Sequence, residues 1–448
     1  MQSSVIPTGI VREIPAGTVL FSTTDESGKI TGAGKSFCEI SGYTAEQLVG
    51  SPHNIVRHRE MPGGLFHLFW AQLATGKPIA TYVLNLAADG ASYWTLACVS
   101  PVKDGTYLSV HVQVSRQDHH ENLRHAYDTA RATERKMRAA GMSARDAAAE
   151  SSSILEGLLV ERGYGGFAAM AAVVLPDEVD AWDKLPRPQL PAAFVKDGHD
   201  VGRVLGATRE IDEELAVLRA RLVEYTALAR SLSTEAESLR GSVGNLSRTV
   251  TAAAAASEEV GGSAPVLARA AAAAAALSDE TSAHLQALPA LLQATQAELM
   301  QLRVVVAMCV LHSAAAESFA VEIAKGEASG DAMGSLELLC AAIERTVAAV
   351  EREWNSVGVR VTEAADHIEE AADRLAKFQR MLLDWRNLVV RFRLSGQLSG
   401  MLGDIDGQEV RSRARMKSLR DLAAECRDAA KPLDLNRLRQ AVSRVSIR

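Results

Sequence analysis

Aromatic residues make up only 5% of this 448-residue chain, although 47% of it is hydrophobic. Alanine and leucine therefore carry the apolar load. That composition points to long helices rather than to the three compact cores that ~150 residues per domain would allow. An excess of either charge is also missing: 48 basic against 55 acidic residues leave a net −7. No general electrostatic drive toward nucleic acid or anionic lipid follows, and no nucleic-acid partner is expected. Cys38, Cys98, Cys309, Cys340 and Cys426 are odd in number and contain no CxxC pair. This excludes a simple disulfide framework or zinc site and suits buried or free thiols in a reducing compartment.

Long apolar runs and catalytic motifs are scarce as well. The first twenty residues lack a basic start followed by an apolar stretch. Residues 166–176 are shorter than the ~20 needed to cross a bilayer. Residues 299–312 are apolar for longer but include Arg303 and His312. The expectation is a soluble, cytoplasmic chain with no membrane span. No HExxH, GxSxG, P-loop or GxGxxG occurs, nor a histidine-kinase, GGDEF or EAL signature. No enzymatic activity, catalytic residue or metal site is expected, and His119, His120 and His125 read as solvated positions on a helix. The basic stretch 411–420 has no interleaved aromatics and reads as an exposed helix face.

What is present divides the chain in two. Residues 18–25 (TVLFSTTD) are strand-like and lead through a turn into KITG, a hairpin. SFCEISG and TAEQLVG are short helical pieces, the second opened by a Thr44/Gln47 capping box. LFHLFWAQLATG (65–76) is amphipathic and closed by Gly76. PIATYVLNLA, SYWTLACVSPV and TYLSVHVQVS then read as three antiparallel strands separated by turns. The fold class expected is α+β: a five-stranded antiparallel sheet with short helices over residues 1–116. A long all-α, coiled-coil or helical-bundle region follows.

Within that region, 117–162 reads as a connecting signalling helix region and 163–202, containing PRPQLP, as a hinge or linker. Residues 203–395 read as a long heptad hairpin and 396–448 as a helical, basic tail. Ile211, Leu215, Leu218, Leu222 and Tyr225 begin a run of alternating four- and three-residue steps that reaches Val250. A second run extends from Cys340 to Phe392. Repeats of seven this long form a coiled-coil seam. Pro289 marks a bend between the arms, and Gly261, Gly262 and Pro265 interrupt the first. Two arms folded as an antiparallel hairpin, paired with a second copy, would make a homodimeric four-helix bundle.

The segment from FSTTDESGKITG through PHNIVRHREMP (52–62), Phe66, Trp70 and the GKP turn at 76–78 resembles the PAS sensory domain of bacterial aerotaxis receptors. Asn85, the turn at 89–90, Tyr93-Trp94 and Ser100-Pro101 follow in the order of that family. The resemblance covers about the first quarter of the chain and implies a PAS fold that binds FAD and reports redox state or oxygen. It further implies a chemotaxis kinase or coupling protein as partner.

On the residues themselves, Arg57 and His58 are candidate donors to a ligand, Asn85 a donor–acceptor reader and Trp70 and Trp94 stacking walls. Core packing of both tryptophans, and helix capping by Arg57 and His58, are the competing readings. The chain departs from the family at Gly34-Lys35, where Asn-Asp is usual, at Arg59 and Glu60, at Ile79, where Trp is usual, and in its neutral LNLAADGA hairpin. No membrane anchor is expected, and the receptor hairpin-tip signature does not occur in this sequence. Two alternatives stay open: a cofactor-free PAS domain acting in dimerisation or as a scaffold, and a haem sensor using His58 or His67.

Overall fold

The computed structural model describes residues 5–103, 105–186, 200–259, 265–396, 399–431 and 434–445. Five strands form one antiparallel sheet: β1 (Val19–Thr24), β2 (Ile30–Ala33), β3 (Ile79–Leu86), β4 (Ser92–Pro101) and β5 (Tyr107–Val112). Their spatial order is β2-β1-β5-β4-β3. Between β2 and β3 lie α1 (Lys35–Ser41), α2 (Ala45–Leu48), a 3-10 turn (His53–Val56) and α3 (Gly63–Ala74). The capping box expected at Thr44 is formed, with Gln47 N–H donating to Thr44 Oγ1 and the Gln47 side chain accepting from Thr44 N–H. This is the α+β arrangement expected from the sequence.

The strands are buried on both faces, which explains why they read as nearly continuous apolar runs. All six residues of β1 are buried. Side chains alternate across a sheet: Val83, Asn85, Ala97, Val99, Ser109 and His111 face one cavity. Residues of the other parity meet helices. Tyr82 Oη donates to Glu178 Oε1 at 2.5 Å, and Ser100 Oγ lies 3.1 Å from His312 Nε2. Phe21 meets the edge of Phe319 with ring centroids 4.8 Å apart, a geometry that adds about 0.5–1.5 kcal/mol to simple burial.

Two helices leave the sheet domain, α4 (Gln117–Ala139) and α5 (Ala144–Glu161). They pack with α3 on the cavity side. Glu134 of α4 accepts from Gly63 N–H at 2.6 Å, satisfying a free donor at the start of α3. A Cβ on Gly64 would stand 2.6 Å from the Ser151 carbonyl carbon, so only glycine allows α5 this approach. His119 and His120 are not solvated as expected. His120 is buried with its ring edge-on to Trp94 (4.6 Å) and Tyr82, and His119 contacts Tyr164 and Asp177.

Inside the stretch read as a hinge, Phe167–Trp182 form α6. Its buried face carries Met170, Val174 and Trp182, and Glu178 accepts from the N–H groups of Ser115 (2.8 Å) and Arg116 (2.9 Å) as well as from Tyr82. The apolar spacing that makes this helix was obscured by neighbouring glycines and by Pro176, which the helix accommodates. Most of PRPQLP lies outside the described residues, as do Gly261 and Gly262.

Three sixty-residue helices follow: α7 (Asp200–Glu259), α8 (Pro265–Ala324) and α9 (Ala332–Arg391); α10 (Ser399–Ala429) and α11 (Asn436–Val445) complete the chain. The chain divides into two units: one comprises residues 1–219, 300–352 and 434–448, the other 220–299 and 353–433. In the first, Lys35 N–H donates to Glu322 at 2.9 Å, Arg345 Nη1 donates to the Val102 carbonyl at 3.0 Å, and Arg444 pairs with Glu210.

The second unit contains parts of α7, α8, α9 and α10. Tyr225 stacks edge-on to Trp354, and Trp385 Nε1 donates to Ser257 Oγ at 3.0 Å, so α7 and α9 run in the same direction. Arg360–Glu298 and His284–His367 set α8 antiparallel to α9, and Arg427–Asp366 and Arg386–Asp406 set α10 antiparallel to it. The result is an up-down four-helix unit made by one chain.

The two arms, expected as an antiparallel hairpin, are α7 and α9, which run in the same direction with α8 between them in the chain. From Ile211 to Val250 and from Cys340 to Val389 the seam residues are buried within a single chain; Phe392, at its end, is 40% exposed. Pro289 lies inside α8 and does not end it. Among the described residues α8 is also the one helix long and apolar enough to cross a membrane, and 83% of its apolar window is buried.

Candidate functional site

The cavity of the sheet domain arises from a segment that folds across β3. Arg57 forms an isolated antiparallel bridge with Asn85, so the chain after Pro52 lies along the open edge of the sheet. The 3-10 turn at His53–Val56 forms one wall, Phe66, Phe69 and Trp70 of α3 a second, and the faces of β3, β4 and β5 the floor. The enclosed volume is about 260 Å3, just below the ~300–1,000 Å3 of typical small-molecule sites.

Three of the five expected site residues line it. Arg57 places its guanidinium 3.9 Å from the Phe66 ring centroid and donates from Nη2 to the Met61 carbonyl at 3.2 Å. Its Nε is buried without a hydrogen-bond partner. Burial lowers its pKa to about 10 against the opposing charge of Glu134. Asn85 is buried and donates from Nδ2 to Thr95 Oγ1 at 3.2 Å. Trp70 is 41% exposed and meets Tyr107 edge-on at 5.9 Å, so it forms the rim rather than a sandwich wall.

His58 and Trp94 lie away from the cavity. His58 is buried in the turn that enters α3, where Nδ1 accepts from Glu60 N–H at 3.2 Å. Trp94 has the wrong parity: Thr95 and Ala97 share the cavity face of β4, whereas Trp94 turns to His120. A one-residue step along a strand exchanges faces. His67 is exposed on α3 and does not line the cavity.

Two histidines that composition and motif did not single out do line it. His53 and His111 lie with rings 6.1 Å apart and 8° from parallel, and each is also nearly parallel to Phe37. His53 Nε2 contacts Ser22 Oγ at 3.0 Å and His111 Nδ1 contacts Thr95 Oγ1 at 3.1 Å. Burial holds both below their ordinary value, to about 4 for His53 and about 3 for His111, so both are neutral near pH 7. Strand parity with Tyr107 and Ser109 is the signal that places His111 here.

The site thus joins apolar and aromatic walls to a few polar groups, two of them with buried atoms left without partners. That is a fit for a planar heteroaromatic ring such as the flavin of FAD, with Arg57, Asn85 and the histidines around it. The enclosed space matches the ring better than a whole dinucleotide. Among the described residues no cluster of His, Cys, Asp and Glu suits a metal ion.

The family model for the PAS fold matches residues 30–116. Over 105 residues the chain is 38% identical to the aerotaxis receptor of Escherichia coli, covering 22% of this chain and 21% of the receptor. It is 28% identical over 87 residues to a biofilm dispersion protein of Pseudomonas aeruginosa, covering 18% of this chain and 20% of that protein. The chain spans only about a fifth of the length of these curated relatives. Among solved structures, a PAS domain from Colwellia psychrerythraea is 21% identical, covering 21% of this chain and 86% of that one, with a TM-score of 0.19. The Rhodobacter sphaeroides LOV protein is 17% identical, covering 33% of this chain and 89% of that one, with a TM-score of 0.22. The sheet, the helices that close its cavity and the matched sequence identify the amino-terminal region as a PAS sensory domain, similar to that of the aerotaxis receptor.

Proposed function

We propose that the chain is a redox or oxygen sensor whose PAS cavity takes FAD through its isoalloxazine ring and whose helices report the state of that cavity to a signalling partner. The observation that carries this reading is the neighbouring pair Arg57 and Asn85, joined by a backbone bridge at the edge of β3 and both lining a mainly apolar cavity. Bound flavin would supply reversible electron uptake. The chain's own residues would do the rest: Arg57 offers hydrogen bonds and positive charge, Asn85 reads a polar edge, and Phe66, Phe69 and Trp70 exclude water.

Transmission would use the opposite face of the same strands. A displacement of β3 or β4 changes the Tyr82–Glu178 and Ser100–His312 contacts, and packed helices carry such changes as switches between discrete arrangements. The fitting partner is a chemotaxis kinase or its coupling protein, in the cytoplasm, where the five free thiols would stay reduced. A homodimer in which the helices of two copies associate would join two such sensors, and the buried seams of α7 and α9 favour contact through their remaining faces.

The cofactor-free reading is favoured by a different observation: the cavity is small, and Gly34 and Ile79 stand where the family carries asparagine and tryptophan. One experiment separates the two. Protein purified in full length, or incubated with FAD, should absorb as oxidised flavin and bleach with dithionite, and Arg57→Ala should weaken FAD binding about tenfold or more. A colourless protein that takes up no FAD would leave the scaffold reading standing.

A further inference from the structure

The hydrogen-bond accounting around β4 and β5 reaches a residue that the receptor motif does not contain. Asn85 Nδ2 donates to Thr95 Oγ1, occupying one of its acceptor sites. Thr95 is fully buried, so its hydroxyl proton needs an acceptor. His111 Nδ1 lies 3.1 Å away, and in the Nε2–H tautomer it accepts that proton. A neutral imidazole that accepts at Nδ1 carries its proton on Nε2. That Nε2 is buried without a partner, in a residue only 5% exposed that lines the cavity. His53 differs, because its Nε2 is already engaged by Ser22. Phe37 and His53, with rings nearly parallel to it and centroids 6.3 and 6.1 Å away, flank the His111 imidazole.

We infer that His111 is the ligand-reading donor of this cavity. It presents an Nε2–H that, together with the unpartnered Nε–H of Arg57, selects a planar heteroaromatic ligand by its hydrogen-bond acceptors. This inference rests on the ligand-binding reading above and narrows it: ring carbonyl oxygens and unprotonated ring nitrogens are accepted, and cationic or purely hydrocarbon rings are refused. Asn85 acts through Thr95 as a positioning residue that sets the tautomer. A cavity donor left unpaired is costly, which makes such discrimination large.

The test uses the full-length chain with two readouts. Nitrogen-15 NMR of the histidine side chains, assigned by loss of the signal in His111→Gln, should show a neutral His111 protonated at Nε2 without any ligand. The Nδ1–H tautomer overturns the proposal. Binding is then measured with FAD, riboflavin, a pterin and a naphthoquinone as probes. Wild type should bind at least one, His111→Leu should bind it about tenfold or more weakly, and His111→Gln, which keeps a donor, should stay within about threefold. Thermal unfolding of both variants confirms that they fold, and His111→Gln alone decides the matter if His111→Leu does not. Equal binding by wild type and His111→Leu overturns the proposal. Binding of the pterin or quinone but not of either flavin, lost in His111→Leu, sinks the flavin reading and upholds the role of His111. Failure to bind any probe sinks both.

Discussion

In the PAS domain each buried contact is particular: a glycine under Ser151, a tyrosine on one carboxylate, a histidine on one serine. In the four-helix unit the contacts repeat, with one apolar residue every three or four positions buried along α7 and α9. The difference lies in what each region can tolerate. A periodic seam distributes its stabilisation over many similar positions, and its few buried polar atoms without partners, such as Ser278 Oγ and Gln379 Nε2, are scattered along it. The sheet domain brings two such residues, Arg57 and His111, to one cavity, where a wrong partner is costly and a right one informative.

Three perturbations would break or sharpen that contrast. The largest effect is expected in the helical unit, at its bulkiest knob. Trp385 is fully buried and donates to Ser257, so Trp385→Ala should cost about 3–5 kcal/mol of unfolding free energy, read as a lowered urea midpoint. A loss under about 1 kcal/mol would mean that the unit repacks freely and that its periodic character extends even to tryptophan.

A smaller effect, of opposite kind, is expected behind the sheet. Burial lowers His312 from 6.5 to about 4. A histidine depressed in the native state contributes stability that is present above pH 6.5 and lost as pH falls toward 4, because the unfolded chain takes up the proton first. Between pH 7 and pH 5 the wild type should therefore lose about 1–2 kcal/mol more than His312→Gln. Identical pH profiles for the two proteins would show that His312 is already charged or solvated. The smallest effect is expected on the bundle surface. Arg374 pairs with Glu370 at 2.7 Å on the exposed surface, and Arg374→Ala should leave the urea midpoint nearly unchanged in moderate salt. A greater loss would move part of the bundle's stability from its seam to its surface.

Much of the sheet domain was legible because its signals are local. Turn residues, the Thr44 capping box and β-branched runs are satisfied within a few positions of the chain, so they survive without knowledge of the fold. The site was legible in part. Arg57, Asn85 and Trp70 line the cavity because the segment after Pro52 and the strand β3 carry them there together. Trp94 misled for a simple reason: beside the cavity in sequence is not beside it in space when strand parity alternates. His111 was silent because its importance lies in an unpaired atom, which no residue pattern displays. α6 was hidden by glycines and a proline whose cost is outweighed by the burial of Met170, Val174 and Trp182.

The sequence by itself determined the period of the long helices and which residues on them must be covered. A stripe of apolar side chains at heptad spacing has to leave water whatever covers it. Which surface does the covering was decided only by the tertiary structure. A third long helix, α8, and the short α10 complete the bundle within one chain, where the pattern alone allowed a second copy to do so. The same holds for the sheet: alternation fixed two faces, and only the fold made one a cavity and the other a seat for helices.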